Sequence, residues 1–204
     1  MALTKIIHQT WKDENIPDFT VKYTELVKKH LPDWEYKFWT DEAIHDFFDF
    51  SADLSHYYLY GALSPRIKQI DLFKYLVVYT YGGLFIDLDI ELFKDPTPLL
   101  KGPVIIGSSA IFYSEPNHPF WIEVFKGIKK NKNKEVLWAT GPKLLLGLAE
   151  DNKEVEILDF NNFFPIRWHE KPLYKEILGK IAKPHFPNGY GFHHMMHSWA
   201  SQED

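Results

Sequence analysis

The chain has 204 residues, room for one compact domain with a real core but not for two full domains. Lys and Arg number 23 against 28 Asp and Glu, for a formal net charge of −5. With no evident basic block, that balance argues against a partner such as nucleic acid. Cysteine is absent, which excludes disulfides, thiolate metal sites and a cysteine nucleophile.

Hydrophobic residues make up 45% and charged residues 25%, ordinary usage for a globular protein. The aromatic share of 17% fits either a Phe-rich core or flat surfaces that stack on rings. No apolar run matches a signal peptide or the roughly 20 residues of a membrane span, so a cytoplasmic protein with no membrane span is expected. Without repeats, low-complexity tracts or linkers, residues 1–204 read as a single domain.

In chain order, Lys5 to Gln9 reads as a first strand, and Thr20 to His30 as an amphipathic helix stopped by Pro32. Trp34 to Trp39 alternates aromatics and reads as a strand. Thr40 then offers an N-cap for a helix to about Phe48, with Asp41 and Glu42 in its first turn. Ser64 and Pro65 mark a helix start, and Gly82 and Gly83 its end. Helical spacing places Ile67, Ile70, Asp71, Lys74, Val77, Val78 and Tyr81 on one stripe, so an acid and a base interrupt an apolar face. That pair is either an (i, i+3) ion pair holding the helix or a contact to a ligand.

After the glycines, Leu84 to Glu91 alternates as one strand, with Phe85, Asp87, Asp89 and Glu91 on one face. Neighbours two apart on a strand lie about 7 Å from each other, so Asp87 and Asp89 can converge on one ion at its end. With no sulfur ligand in the chain, a hard divalent ion such as Mn²⁺ or Mg²⁺ suits them. The plain alternative is a solvated edge carrying scattered acids.

Farther on, Pro103 to Ser108 is a strand candidate and Phe120 to Lys130 a helix. Thr140, Gly141 and Pro142 turn into a Leu-rich stretch, where Thr140 is either the N-cap or part of an anion- or sugar-binding turn. The tail Gly189 to Trp199 carries His193, His194 and His197, candidate ligands or packing groups.

The ordered set of a helix, Gly-Gly, an apolar strand and Asp-x-Asp resembles glycosyltransferase family 32, the enzymes with a sugar-binding DxD region that include yeast-type initiating mannosyltransferases. Lys5 to Trp11, Trp34 to Glu42, Asp71 to Asp89, Asn117 to Pro119, Thr140 to Pro142 and His193 to Trp199 carry the likeness, which spans nearly the whole chain. It implies an α/β fold of GT-A type: one Rossmann-like domain with a mainly parallel mixed sheet flanked by helices. The implied activity is retaining, metal-dependent transfer of a sugar from a UDP- or GDP-sugar to a hydroxyl acceptor such as a glycan.

The resemblance places Ile7, His8, Gln9 and Trp11 along the nucleotide and Asp71 on the donor sugar. It places Asp87 on the ribose or sugar and Asp89 on Mn²⁺ or Mg²⁺. Gly83 and Thr140 fall in the implied donor site, His193 is a further metal ligand, and Ser198 and Trp199 lie near the phosphates. Lys74 stands where the family usually has arginine, which keeps the charge but loses the bidentate fork. The implied catalytic set is Asp87, Asp89 and Lys74, with the aromatic-rich tail as a lid that excludes water.

Two rivals share parts of this pattern. A haloacid-dehalogenase-like phosphatase also places Asp-x-Asp at a strand end, but the segment after Glu91 offers no Gly-Asp pair. A non-catalytic module binding nucleotide-sugar or glycan would use the aromatics as stacking platforms.

Overall fold

The structure, a computed structural model, describes residues 3–174, 176–178, 180–186 and 188–196. The first half alternates strand and helix: β1 (Ile6–Thr10), α1 (Asp18–His30), β2 (Glu35–Trp39), α2 (Asp41–Phe50), α3 (Leu54–Gly61), α4 (Arg66–Tyr81) and β3 (Gly83–Ile86). The second half continues with β4 (Ile90–Leu92), β5 (Val104–Ser108), β6 (Ile111–Ser114), α5 (Phe120–Asn131), α6 (Val136–Ala139), α7 (Pro142–Glu150), β7 (Val155–Ile157) and β8 (Gly191–His193).

Six strands form one sheet in the order β2-β1-β3-β6-β5-β7, while β4 and β8 pair separately. Of the six, β6 alone runs against the others, pairing antiparallel with β3 and β5. Side chains alternate across the sheet, and each face has its own core. Phe85 and Phe112 join Phe73, Val77 and Trp121 of α4 and α5 on one side. Leu84, Ile86 and Tyr113 join Ile7, with Val27 of α1, on the other. The chain is a three-layer α/β domain with its sheet buried on both faces.

Local chemistry fixes several ends where the sequence placed them. The Thr40 hydroxyl accepts the Ala43 N–H at the start of α2. Gly82 and Gly83, at φ +69° and +99°, let the chain reverse from α4 into β3. A Cβ on Gly83 would collide with the Ile6 carbonyl, so β3 can lie against β1 only with glycine there.

Four expectations need correction. Ser64 does not cap α4, whose N-cap position is Pro65 with no side-chain bond. The single apolar stripe on α4 is too modest, because Asp71 through Val78 are all buried. The strand expected over Leu84 to Glu91 breaks at Ile86, and a turn through Asp87, Leu88 and Asp89 leads into β4 on the separate two-stranded ribbon. Leu88 and Ile90 are buried, so the apolar alternation persists although the strand does not. Finally, the basic charge is not evenly spread: α5 and the loop after it carry a run of lysines from Lys126 to Lys134.

Candidate active site

In open α/β sheets, ligands bind beyond the carboxyl ends of parallel strands. Here β1 ends at Thr10 and its parallel neighbour β3 at Ile86, so Gln9 to Trp11 and Asp87 to Asp89 share one edge. Gln9 ties the two ends together by donating to the Ile86 carbonyl at 3.2 Å while accepting from Tyr36 Oη at 2.9 Å.

The corner after β3 is closed by backbone bonds. Asp87 N–H donates to the Ala110 carbonyl at 2.8 Å, and Ile90 N–H donates to the Asp87 carbonyl at 3.1 Å. Asp87 and Asp89 therefore approach each other across a turn, not along one strand face. Lys74 of α4 reaches up from below, with Nζ 2.7 Å from Asp87 Oδ1 and 3.7 Å from Asp71 Oδ1. Asp71 is fixed in turn by the Thr140 hydroxyl, which donates to its Oδ2 at 2.8 Å, and Tyr75 Oη donates to the Thr140 carbonyl at 2.7 Å. Thr140 thus does not cap α7, whose N-cap is Gly141; its hydroxyl serves the buried acid instead.

Asp89 faces the ribbon. Its Oδ1 lies 3.2 Å from His193 Nε2 and its Oδ2 accepts the Met196 N–H at 2.8 Å, while its carbonyl accepts the His194 N–H at 2.9 Å. β8 pairs with β4 so that His193 stands opposite Ile90. Asp87, Asp89 and His193 each offer one ligand atom, all within 4.8 Å of one another.

Electrostatics divides these groups. Burial pushes the Asp71 carboxyl up to about 6 against the pull of Lys74 and Thr140. Burial also raises Asp87, opposed by Lys74 and reinforced by the charge on Asp89. Burial disfavours the Lys74 ammonium, but Asp87 and Asp71 outweigh it and hold the amine above its ordinary value. For Asp89, burial is overcome by His193 and the Met196 N–H, and the carboxyl sits well below the usual range. His193 is raised because Asp89 outweighs its burial.

Residues 17–106 match the family described as the glycosyltransferase sugar-binding region containing the DXD motif. Inositol phosphoceramide mannosyltransferase 3 of Schizosaccharomyces pombe is 31% identical over 159 residues, covering 71% of this chain and 44% of that protein. A mannosyl phosphorylinositol ceramide synthase of Saccharomyces cerevisiae is 32% identical over 157 residues, covering 69% and 40%. By this match and by these relatives, the chain is similar to the DXD-containing glycosyltransferases.

It spans less than half the length of these two relatives. Among solved structures, the PaToxG glycosyltransferase superposes with a TM-score of 0.58 at 16% identity, over 72% of this chain and 69% of that one. Apo GlyE of Streptococcus pneumoniae gives 0.54 at 11%, over 95% and 55%. These likenesses show the fold, which is that of GT-A glycosyltransferases.

Within this chain, Asp71, Lys74, Asp87, Asp89, Thr140 and His193 form one connected set, with Gln9 at its border. Other residues expected along the donor lie deeper. The Ile7 side chain is fully enclosed in the α1-side core. His8 is fully buried, with Nε2 2.9 Å from the Gly82 carbonyl and Nδ1 3.1 Å from Trp39 Nε1. The indole N–H donates to Nδ1, so Nε2 carries the proton, and burial holds the ring neutral with its pKa lowered to about 4. Gly83 is buried against β1. Trp11 is half-buried, and its indole N–H has no partner among the described residues. His197, Ser198 and Trp199 lie outside the described residues, as does any lid they form.

One group escaped sequence reasoning. Glu91 is buried, and its carboxylate accepts the Ala182 and Lys183 N–H groups at 2.6 and 3.3 Å and lies 3.2 Å from His194 Nε2. The Tyr23 ring stacks on His194 at 4.4 Å, and Tyr23 Oη donates to the Lys180 carbonyl at 2.8 Å. Glu91 and Tyr23 thereby fasten the C-terminal ribbon to the body of the domain. Partners up to 157 residues away in sequence hold this lock, so no local pattern announces it.

The donor set fits a hard divalent ion. Two carboxylates crowd within 4.8 Å with an imidazole beside them and no thiolate is present, a combination that suits Mn²⁺ better than an all-oxygen ion such as Mg²⁺. Lys74 engages Oδ1 of Asp87, and the second carboxylate oxygen remains for an ion.

Proposed function

We propose that this chain is a metal-dependent, retaining hexosyltransferase that moves a sugar from a UDP- or GDP-sugar to a hydroxyl acceptor. The mannosyltransferase names of its relatives make mannose the first sugar to test and an inositol-containing glycolipid the first acceptor. The observation that carries the reading is the convergence of Asp87, Asp89 and His193 at the carboxyl ends of β1 and β3, backed by a buried lysine.

Asp89 and His193, with the outer oxygen of Asp87, would hold Mn²⁺ or Mg²⁺. When bound, the ion supplies positive charge where the departing diphosphate gathers negative charge. The residues of the chain do the rest. Lys74 holds Asp87 in place and balances the carboxylates, so its ammonium acts through Asp87 instead of projecting toward solvent. Asp71, aimed by Thr140, lies behind Lys74, where the donor sugar would rest against this end of α4. Gln9 and the Trp11 indole N–H, which has no partner among the described residues, would border the nucleotide. Ser198 and Trp199 would close over the phosphates, as the resemblance implies.

Retention needs the acceptor hydroxyl to approach from the leaving-group side, where a phosphate oxygen can take its proton. No separate nucleophilic carboxylate is then required.

A panel of UDP- and GDP-sugars, scored by thermal stabilisation and release of nucleoside diphosphate with and without Mn²⁺, tests the reading. Turnover of one donor that requires the ion is expected. Nucleotide binding with no turnover of any donor, across a range of acceptors, would favour the binding module.

A further inference from the structure

The domain carries a second feature, remote in chemistry from the carboxylate site. Between Ile122 and Lys143 the sequence holds six lysines against two glutamates, in a chain whose net charge is −5. One of those glutamates, Glu123, is engaged by Lys126 at 2.8 Å. Lys126, Lys129 and Lys130 all stand on the exposed side of α5, whose other side buries Trp121, Val124 and Ile128 in the core. The loop after α5 adds Lys132 and Lys134, and their carbonyls accept hydrogen bonds from the buried Lys68 Nζ at 2.9 and 2.8 Å. The loop is thereby held by a cation beneath it.

The chain then enters α6, where Leu137 and Trp138 are 43% and 48% exposed, and Ile122 on α5 is 43% exposed. Lys143 lies over the Trp138 ring at 4.5 Å. Exposed Trp and Leu set among lysines are the two ingredients of interfacial membrane binding: rings and alkyl groups for the headgroup boundary, ammonium groups for anionic lipid. A nucleic-acid site would instead stack bases on several rings along a groove, and here Trp138 is the one exposed aromatic ring on α5, its following loop and α6.

We propose that the outer face of α5, the loop after it and α6 form a docking surface for an anionic phospholipid bilayer. The surface is linked to the carboxylate site through the chain, because Ala139 ends α6 and the next residue, the buried Thr140, donates to Asp71. The docking itself does not depend on the glycosyltransferase reading, since it needs only charge and apolar exposure.

The test is sedimentation of the intact protein with vesicles of phosphatidylcholine alone and of phosphatidylcholine with about one third phosphatidylserine. Binding to the anionic vesicles is expected, with release at about 1 M NaCl, where the screening length is ~3 Å. A triple variant, Lys126→Gln, Lys129→Gln and Lys130→Gln, alters only exposed side chains and should lower partitioning on the order of 100-fold. Trp138→Ala should weaken binding to the same vesicles, and brominated lipid should quench wild-type tryptophan fluorescence more than that of the variant. Thermal unfolding and Mn²⁺ binding of the triple variant should match wild type.

Equal partitioning to both vesicle types, or unchanged partitioning of the triple variant, would overturn the proposal. Binding of a single-stranded oligonucleotide with no binding to either vesicle would also overturn it, in favour of a nucleic-acid surface.

Discussion

Asp87 and Asp89 are two residues apart, yet they belong to different parts of the molecule. Asp87 ends the central sheet and is held from below by Lys74 on α4, a helix buried along its middle between the sheet and its neighbours. Asp89 opens a two-stranded ribbon whose other strand is the C-terminal β8, and its carboxylate bonds to His193 and the Met196 N–H are both to that tail. The first half is stabilised by the apolar layers of the sheet, the second by a smaller apolar cluster around Phe93, Ile166 and Phe192 together with the buried Glu91 and His194. The pair therefore sits where the central sheet and the two-stranded ribbon each supply a ligand. Placing the tail and assembling the ion site become one event.

The largest expected effect comes from Asp89→Asn, which keeps shape but removes charge. Metal-dependent turnover should fall on the order of 1,000-fold, and the unfolding midpoint should drop as well because His193 loses its charged partner, as read by donor cleavage and thermal melting. Wild-type activity across a Mn²⁺ titration would refute the assignment.

Next come two variants that separate the halves. Lys74→Met leaves the buried Asp71 and the partly exposed Asp87 without their cation and should cost about 3 kcal/mol in urea unfolding. Mn²⁺ should restore more stability to this variant than to wild type, because the ion compensates Asp87. Glu91→Ala strips partners from Ala182, Lys183 and His194 and should cost roughly 3 kcal/mol. Its signature differs: hydrogen exchange should speed up in β4, β8 and residues 181–186 before the sheet is affected. Uniform loosening in both variants would erase the distinction between the halves.

A third variant probes the sheet side alone. The folded His8 pKa of about 4 lies below its ordinary 6.5, so the unfolded chain binds the extra proton between those values. The stabilisation is complete above pH 6.5 and is lost as pH falls toward 4. Wild type should lose on the order of 3 kcal/mol over that window relative to His8→Gln. Asp71, raised to about 6, contributes the opposite slope over the lower part of the same range, so the comparison with the variant is needed. Parallel stability curves would contradict the buried neutral imidazole. The smallest effect belongs to Thr140→Val, which removes one hydrogen bond from Asp71 and should cost about 1–2 kcal/mol.

Legibility followed the range of the interactions. The ends of α4 were readable because proline and glycine punctuate them locally. β1, α1, β2 and α5 showed their periodicity and lie within about two residues of expectation. The single strand over Leu84 to Glu91 was not readable as a corner, since Leu88 and Ile90 stay buried through the turn and keep the alternation of a strand. Asp87, Asp89 and His193 could be nominated as a set, but the Lys74–Asp87 bond replaced the simpler (i, i+3) pair with Asp71 as the shorter contact. Glu91 was read as one more acid on the Asp87 face, because its partners sit about 90 to 103 residues downstream.

The most direct test is a crystal structure of the chain with Mn²⁺ and a nucleoside diphosphate, using anomalous scattering to locate the metal. The account predicts one peak coordinated by Asp89, His193 and the outer oxygen of Asp87, with diphosphate oxygens completing the shell. A peak bound elsewhere, or nucleotide bound with both carboxylates still engaged only by Lys74 and His193, would contradict it.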